Sequence, residues 1–474
     1  MTDIRRIARK EITEMFRDGR LRWAAAIVFT LLVASLLTGW KQFADSSRQR
    51  QLAKLDERER WLDQGKKNPH SAAHYGVYAF KPESPLSSVD QGLNSYLGIA
   101  VWLEAHRQNL FKFRPAEDST AAARFGELTA AVTLQILIPL LIILLLHSSF
   151  TGEREQGTYR MLASLGVPLQ SLARGKALGA AIVLCLLLVP AALIGVAAIM
   201  LYSGDVGFGA VAGRFAVMAL SYLLYYSIFV AASLIVSARV KTSQIALIVL
   251  LAGWFLNCFV LPRVVTDLAG KLRPTPSAMR MTADIERDLE LGIDGHGSRG
   301  DRIEELKART LKQYGVDTIE KLPVNFSGVQ LTEADEYGYK VYDKHFEALF
   351  ATYEWQNRFY QIASALSPML SVQSLSMGLA GADFAHHRDF TDKAERYRRR
   401  IQRAMSDAIT FKSRTGEYVM AGNELWREVP PFEYNAPGLG RALGNYRWSI
   451  LFLALWSAVI WLFLPYAISK AKPE

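Results

Sequence analysis

Long apolar stretches separate the charged parts of this chain. Six of them contain no Asp, Glu, Lys or Arg and are rich in Leu, Ile, Val, Ala and Phe. Each is close to or above the ~18–20 residues that a helix needs to cross a bilayer core. Backbone polar groups in lipid must bond within the chain, so we predict that these stretches are helices. They are 23–40, 128–152, 177–204, 215–238, 242–262 and 448–469.

The stretches divide the chain into membrane-spanning and polar parts. We predict an all-α polytopic membrane protein with six transmembrane helices and two mostly helical extracytoplasmic domains. The transmembrane helices are predicted at 22–40, 128–148, 177–203, 214–238, 242–262 and 447–469. The other parts are an amphipathic N-terminal helix at 1–21, extracytoplasmic domains at 41–127 and 263–446, a connecting region at 149–176 and a tail at 470–474.

Lysine and arginine mark one side of the membrane. They concentrate in the N-terminal segment, after the second and fourth stretches, and in the C-terminal tail. The link between the third and fourth stretches has Asp205 and no basic residue before Arg214. Short cytoplasmic loops carry an excess of Lys and Arg, so both termini are predicted to be cytoplasmic. The first stretch starts too far into the chain for a removed signal peptide, and we predict that it is retained.

The N-terminal segment has the spacing of an amphipathic helix. Ile4, Ile7, Ile12 and Phe16 recur at helical steps, with arginines and carboxylates between them. This pattern is typical of a helix that lies in the membrane interface before the chain enters the bilayer. A soluble helix docked on a partner is the alternative.

The two large polar segments also carry helical patterns. A polar helix is predicted to continue the first span outward, and a second helix is predicted over 94–111. Thr332 and Asp335 resemble a capping box at the start of a helix that continues to Leu366. Such a helix would be about 50 Å long at the usual rise per residue.

Histidines are the first candidates for chemistry. His70 and His74 stand four residues apart, the spacing at which two imidazoles on a helix can chelate a metal. Because Pro69 marks a break there, polar surface is the favoured interpretation, and no metal site is predicted. His386 and His387 are adjacent and are candidates for extracytoplasmic ligand contact.

A dense basic segment is the second candidate. Arg396, Arg399 and Arg400 belong to the helical pattern 394–404 of the second extracytoplasmic domain. They are candidates for contact with anionic lipid headgroups or an acidic ligand, although a solvated helix face is the commoner meaning. Gln135 and Asn257, inside spans, are predicted to hydrogen-bond between helices.

Several functions lack the residues that they need. The chain carries a net charge of +10 and two cysteines, Cys185 and Cys258, both inside spans, so no disulfide, zinc-cysteine or iron–sulfur site is predicted. The P-loop sequence is absent, because Ala177 follows Lys176 where a hydroxyl residue is required. No catalytic cluster is present in the spans, so the chain is not predicted to be an enzyme. No nucleic-acid partner is predicted.

The charged piece "SFTGEREQGTYRMLASLGVP" lies between the second and third stretches, where a short turn would have sufficed. Together with "LQSLARGK" it resembles the cytoplasmic signature of ABC-2-type transporter permeases, in which E-x-E-x-G-T is followed by leucines, a proline and G-K. The matching residues are Glu153, Glu155, Gly157, Thr158, Leu162, Pro168, Gly175 and Lys176.

The resemblance implies that this piece is a coupling helix that docks on a separate ATP-binding cassette ATPase. Glu153 and Glu155 suit the positive end of a short helix, and Thr158 can cap the next turn. Met161, Leu162 and Leu165 offer an apolar edge. The seven predicted ATPase contacts are Glu153, Glu155, Gly157, Thr158, Met161, Leu162 and Leu165. A helix that merely joins two spans is the alternative.

The resemblance covers most of the chain. "RKEITEMFRDGR" before the first span, "NPHSAAHYGVYAF" in the first domain and "SPMLSVQSLSMGLAGADF" in the second are similar to a subgroup with large extracytoplasmic insertions after the first and fifth spans. It implies a bacterial inner-membrane permease surrounded by lipid. It also implies pairing with an identical or related permease, and two ATPase subunits that bind the ATP and Mg²⁺. No cofactor is expected in this chain.

The function implied is export of an unidentified substrate, driven by ATP hydrolysis in the partner. The alternative is a mechanotransmitting or signalling membrane protein that moves a periplasmic partner protein without passing substrate through the bilayer.

Overall fold

The computed structural model of the protein describes residues 2–118, 128–202, 208–293, 295 and 297–470. The link that contains Asp205 and the tail beyond Lys470 lie outside the described residues. Within these described residues, six helices are long and apolar enough to cross a membrane, which confirms the all-α polytopic prediction. They run over Leu21–Leu62, Ala130–Glu155, Leu169–Ala198, Val211–Arg239, Ser243–Leu272 and Arg447–Ser469.

The second and fourth of these helices form the centre of the bundle. In the most apolar 18-residue stretch of each of these two helices, 61% and 56% of residues are buried, against 17–28% in the other four helices. A helix that is apolar all round and still exposed in the folded chain must meet lipid or another subunit. The remaining four helices therefore line the outside of this chain.

Helices and two strands make up the described chain. The helices in the first half are α1 Thr2–Arg17, α2 Gly19–Leu62, α3 Pro69–Tyr75, α4 Asn94–Leu97, α5 Pro115–Asp118, α6 Ala130–Val132, α7 Ile138–Leu146, α8 Thr151–Glu155, α9 Thr158–Ser164, α10 Leu169–Tyr202 and α11 Phe208–Arg239. Those in the second half are α12 Ser243–Phe255, α13 Leu261–Leu272, α14 Ala278–Leu291, α15 Arg299–Tyr314, α16 Phe326–Ala363, α17 Pro368–Ala380, α18 Phe384–Lys412, α19 Asn423–Glu428, α20 Leu439–Asn445 and α21 Arg447–Ser469. The strands are β1 Val77–Phe80 and β2 Ala100–Leu103, and short 3₁₀ or π turns are Pro85–Ser88, Thr133–Leu137, Leu256–Val260 and Ile319–Lys321.

The predicted N-terminal helix is present as α1, and it packs closely on α10. A Cβ on Gly175 would lie 2.5 Å from Ile7 Cγ2, and one on Gly179 would lie 3.0 Å from Glu11 Cβ. Glycines four residues apart allow two helix backbones to approach this closely. The Gly-x-x-x-Gly spacing of α10 therefore provides the docking groove for α1.

Docking on α10 divides the predicted apolar face of α1. Ile4, Ile7 and Ile12 are half-buried, and Phe16 remains 49% exposed. The helix is thus partly buried against its own chain, and its remaining apolar residues are available to lipid or to a partner.

The first large insertion, residues 41–127, begins with α2, which continues beyond its apolar part as predicted. The helix predicted over 94–111 is wrong. Only α4 is helical there, and β2 pairs antiparallel with β1, with Val77 opposite Leu103 and Phe80 opposite Ala100. Valine, tryptophan and leucine in "AVWL" suit a half-buried strand, and the pairing with β1 overrides the helical spacing.

The long helix of the second insertion, residues 263–446, is α16. At 1.5 Å per residue it is about 57 Å long. It begins earlier than predicted, because the Asn325 side chain accepts the Ser327 N–H at 3.0 Å. Thr332 and Asp335 are not a capping box: the Thr332 hydroxyl donates to Gly328 O inside the helix, and the Asp335 carboxylate meets His106.

The two insertions share a hydrophobic core. Trp61 of α2 donates its indole N–H to Trp426 O at 2.9 Å, and the same cluster contains Phe390 and Tyr397 of α18 together with Val77 of β1. The two parts predicted as separate domains therefore pack as one unit at one end of the bundle.

Helix α17 enters that end of the bundle, which the sequence did not predict. The Ser376 hydroxyl lies 2.9 Å from Tyr222 Oη of α11, and the Ser367 hydroxyl donates to Asn257 Oδ1 at 2.6 Å. Gln135 also donates to Tyr222 Oη, at 3.1 Å. These bonds confirm that Gln135 and Asn257 hydrogen-bond between helices.

Candidate functional site

The charged piece between the second and third spans folds as two short helices, α8 and α9. Gly157 separates them with φ of 74°, a left-handed conformation that glycine adopts without strain. The Thr158 hydroxyl donates to Glu153 O at 3.1 Å, so Thr158 links the two helices. We call residues 149–176 the coupling segment.

Glu153 is the centre of a buried ion cluster. It lies in the first turn of α8, as predicted, and is 7% exposed. Its Oε1 accepts Lys176 Nζ at 2.9 Å and Lys10 Nζ at 3.2 Å. Lys176, which is 1% exposed, also donates to Glu11 Oε1 at 2.6 Å. The cluster therefore connects α8 with α1 and α10.

Glu155 connects the coupling segment to α12. Its carboxylate accepts the Ser243 N–H at 2.7 Å and the Ser243 hydroxyl at 2.9 Å. A carboxylate is stabilised at a helix N-terminus by the free N–H groups and the helix dipole. The prediction that Glu155 occupies the positive end of its own helix is wrong, because it is the last residue of α8 and binds the first N–H of α12 instead.

Arg154 connects the same segment to the end of α11. Its guanidinium donates to Val240 O at 2.7 Å and to Ala238 O at 2.9 Å. Cations near a helix C-terminus satisfy carbonyls that lack an intrahelical partner. Three consecutive residues, Glu153 to Glu155, therefore fasten the coupling segment to four other helices.

The predicted apolar edge is exposed on α9 and on the residue that follows it. Met161 and Leu165 are 55% and 70% exposed, whereas Leu162 is half-buried against the bundle core. On the buried face of α9, the Tyr159 ring packs edge-on against the ring of Phe150. We call Met161 and Leu165 the coupling surface. Among the seven predicted ATPase contacts, these two present the most exposed apolar side chains, while Glu153 is engaged within the chain.

The predicted contact residues of the second insertion do not form one surface. His386 and His387 are 4% and 7% exposed, so neither faces solvent or lipid headgroups. Arg399 is bound within the chain, donating to Glu395 at 2.8 Å and to Asp343 at 3.1 Å. Arg396 and Arg400 are exposed.

His386 belongs to a buried cluster at the insertion end of the bundle. The Asp383 carboxylate caps α18 and accepts hydrogen bonds from His386 and from Tyr446 Oη. Burial acts to raise the pKa of Asp383, but the hydrogen bonds and the nearby His386 lower it overall. Arg214 of α11 lies 3.5 Å from His386 Nε2 and donates to Leu379 O at 3.1 Å.

His387 has an apolar environment. Its ring lies 4.4 Å from that of Phe111, and its Nδ1 has no hydrogen-bond partner among the described residues. Burial, and secondly the charge of Lys81, lowers the pKa of His387 to about 3. The side chain is therefore a neutral packing residue.

Sequence reasoning missed the neighbour of His70 and His74. Both lie on α3, because Pro69 is its first residue and Asn68 its N-cap, so the predicted break is in fact a helix start. His106 joins them from the loop after β2, and one ligand atom of each imidazole lies within 4.8 Å of the others. A distance of more than 30 positions along the chain left no local signal for this contact.

Two family models match the chain. The model described as ABC-2 family transporter protein matches residues 5–321, about two thirds of the chain. The model described as a domain of unknown function, DUF3526, matches residues 278–435, most of the second insertion. No curated protein matches the sequence. Together with the six spans and the coupling segment, the longer match shows that the chain belongs to the ABC-2 family of transporter proteins, as a multi-pass membrane permease.

Proposed function

We propose that this permease couples ATP hydrolysis in a separate ATP-binding cassette ATPase to the export of a substrate. The observation that carries the proposal is the coupling segment. It exposes Met161 and Leu165 on one side and is fastened by buried or helix-capping charges on the other. An exposed apolar pair backed by contacts to several helices suits a docking surface that receives force.

The internal contacts of the segment determine where that force would go. Through Glu153 it reaches α1 and α10, and through Arg154 and Glu155 it reaches α11 and α12. Helices α10, α11 and α12 belong to membrane spans. A movement of α9 against the ATPase is therefore passed to three spans and to the docked N-terminal helix.

The working assembly in this proposal contains two permease chains, identical or related, and two ATPase subunits. ATP and Mg²⁺ are bound by the ATPase subunits. The coupling surface and both termini face the cytoplasm, and the two insertions project from the outer face of a bacterial inner membrane. Four lipid-accessible or partner-accessible spans supply the surface for pairing.

The test is co-purification of the ATPase from the native host. A chain with both Met161→Asp and Leu165→Asp is compared with wild type and with Met279→Asp. Met279 is 85% exposed on α14, so it controls for a charge placed on an exposed methionine elsewhere. Because the coupling surface is solvent-exposed, the double variant is expected to insert normally but to lose at least about tenfold of the bound ATPase.

The ATPase is identified by mass spectrometry and by nucleotide hydrolysis in the purified complex. Unchanged ATPase recovery with the double variant would show that the ATPase does not dock on the coupling surface. Failure of any ATPase to accompany wild type, even after crosslinking in cells, would remove the basis of the proposal. Glu155→Lys gives an independent check, because it breaks the link to α12 and leaves Met161 and Leu165 exposed.

A further inference from the structure

Three histidines meet where the first insertion contacts the long helix of the second. We propose that His70, His74 and His106 bind a divalent transition metal of the zinc class. The site lies far along the chain from the coupling segment, and the inference does not depend on the transport proposal.

The distances between the imidazoles suit one metal ion. His70 Nε2 lies 3.2 Å from His74 Nε2, and one ligand atom of each histidine lies within 4.8 Å of the others. Two nitrogens bound tetrahedrally to zinc are separated by about 3.3 Å. The ring centroids are 4.6, 5.2 and 5.2 Å apart, and three imidazoles around one zinc give roughly 5 Å. The trio therefore needs only a small closing movement.

The backbone holds the three side chains in place. His70 and His74 are one turn apart on α3, so both point to the same side. The Ala105 N–H donates to Ala73 O at 3.1 Å, which ties the loop that carries His106 to the same helix. His106 itself has φ of 62°, in the left-handed region, and the turn around it is closed by a bond from Arg107 N–H to Ala105 O at 2.8 Å. Such a conformation is uncommon outside glycine and concentrates at functional sites.

A buried carboxylate orients the third ligand. His106 Nδ1 lies 2.9 Å from Asp335 Oδ1, and the Asp335 side chain is 6% exposed. With the proton on Nδ1 donated to Asp335, the lone pair of Nε2 is free for a metal. A carboxylate behind a ligating histidine is the usual second contact of a zinc site, because it fixes the tautomer and raises the basicity of the imidazole.

The trio lies at the surface of the first insertion, with His70 and His106 half-buried. His74 is exposed, so the ion has access to solvent. Three histidines leave a fourth position for water or for a group brought by a partner, the arrangement of an exchangeable zinc site. Through Asp335, a bound ion would join the first insertion to α16.

The experiment is a zinc titration of the full chain, purified in detergent through a tag that lacks histidine and stripped with a chelator. Zinc is added in competition with a chromophoric chelator, and bound metal is counted by mass spectrometry. Wild type is expected to bind one zinc per chain. His74→Ala and His106→Ala are expected to bind more than about 100-fold more weakly, and Asp335→Asn roughly 10–100-fold more weakly.

His345→Asn is the matched control. Its imidazole contacts Asp288 at 2.9 Å, away from the trio, so zinc affinity is expected to be unchanged. Cobalt in place of zinc should give the visible absorption of a tetrahedral site in wild type and lose it in His74→Ala. Because His74 is exposed, this variant is expected to keep the wild-type melting temperature without metal.

Two results would overturn the inference. One is less than stoichiometric zinc on wild type at a free concentration of about 1 μM. The other is equal affinity in wild type, His74→Ala and His106→Ala. In either case the short contact between His70 and His74 is a hydrogen bond between neutral rings, and the trio has a packing role.

Discussion

A buried cation lies at each end of the helical bundle, and Lys176 and Arg214 bind different kinds of partner. At the coupling end, Lys176 binds the carboxylates of Glu11 and Glu153. At the insertion end, Arg214 donates to backbone carbonyls, among them Leu379 O at the end of α17 and Pro437 O. Lys176 therefore joins side chains to side chains, whereas Arg214 joins its side chain mainly to the main chain.

This difference indicates which end is built to move. A lysine shared between two carboxylates can shift from one to the other while the helices that carry them slide, because each contact is a flexible side chain. The guanidinium of Arg214 holds carbonyls whose positions are fixed by α17 and the loop before α20. We therefore expect the coupling end to rearrange and the insertion end to stay fixed.

The largest effect is expected at the coupling end. Lys176→Met leaves the carboxylates of Glu11 and Glu153 close together and buried, and removal of one partner from a buried ion pair costs about 3–5 kcal/mol. The measurement is the free energy of unfolding in mixed micelles by denaturant titration. A loss below about 1 kcal/mol would mean that the cluster contributes little, and the comparison between the two ends would fail.

Lys10→Met is the matched control for that variant. Lys10 also binds Glu153, but its side chain is 48% exposed, so water can replace the contact. Solvated ion pairs contribute about 0–1 kcal/mol, and the same titration should show no more than that. Equal losses for Lys10→Met and Lys176→Met would show that burial does not decide the strength of this cluster.

An intermediate effect is expected at the insertion end. Asp383→Asn weakens the bonds from His386 and Tyr446, each made to a charged acceptor, and should cost about 1.5–3 kcal/mol at pH 7. In the folded chain the pKa of Asp383 lies below its ordinary value of 3.8. The charged carboxylate therefore stabilises the fold above pH 3.8, and this stabilisation is lost as the pH falls through the pKa of the folded state. Thermal melting of both chains from pH 7 to pH 3 should show the gap narrowing at the acid end. A gap that widens instead would contradict a charged Asp383.

A small effect is expected for His387→Phe, because the new ring has a similar shape and packs against Phe111 in the same way. The free energy of unfolding should change by less than about 1.5 kcal/mol at pH 8. The folded pKa of His387 is about 3 and its ordinary value is 6.5, so wild type loses stability as the pH falls between these values, because the unfolded chain binds the proton. The variant lacks this loss, and its melting temperature should overtake that of wild type on acidification. Parallel pH profiles for the two chains would show that His387 does not titrate in this way.

Local patterns were enough for the membrane architecture and for the position of the coupling segment. The six spans follow from length and the absence of charge, because lipid excludes unpaired backbone and charged groups wherever they lie in the sequence. The exposed residues Met161 and Leu165 were identified from the same kind of pattern. Export of a substrate stays a prediction, and so does the alternative that the chain moves a periplasmic partner.

The sequence by itself determined which segments enter the membrane and that a charged, helix-forming piece joins two of them. Only the tertiary structure decided what each charge binds. Glu11 meets Lys176 across 165 positions and His106 meets Asp335 across 229, and the strand pair replaced a helix once β1 supplied a partner. Each membrane span is determined by the interaction of one segment with lipid, so the pattern within that segment predicts it. The ion clusters and the histidine trio depend on contacts between distant segments, and the spacing of residues within one helix does not reveal such contacts.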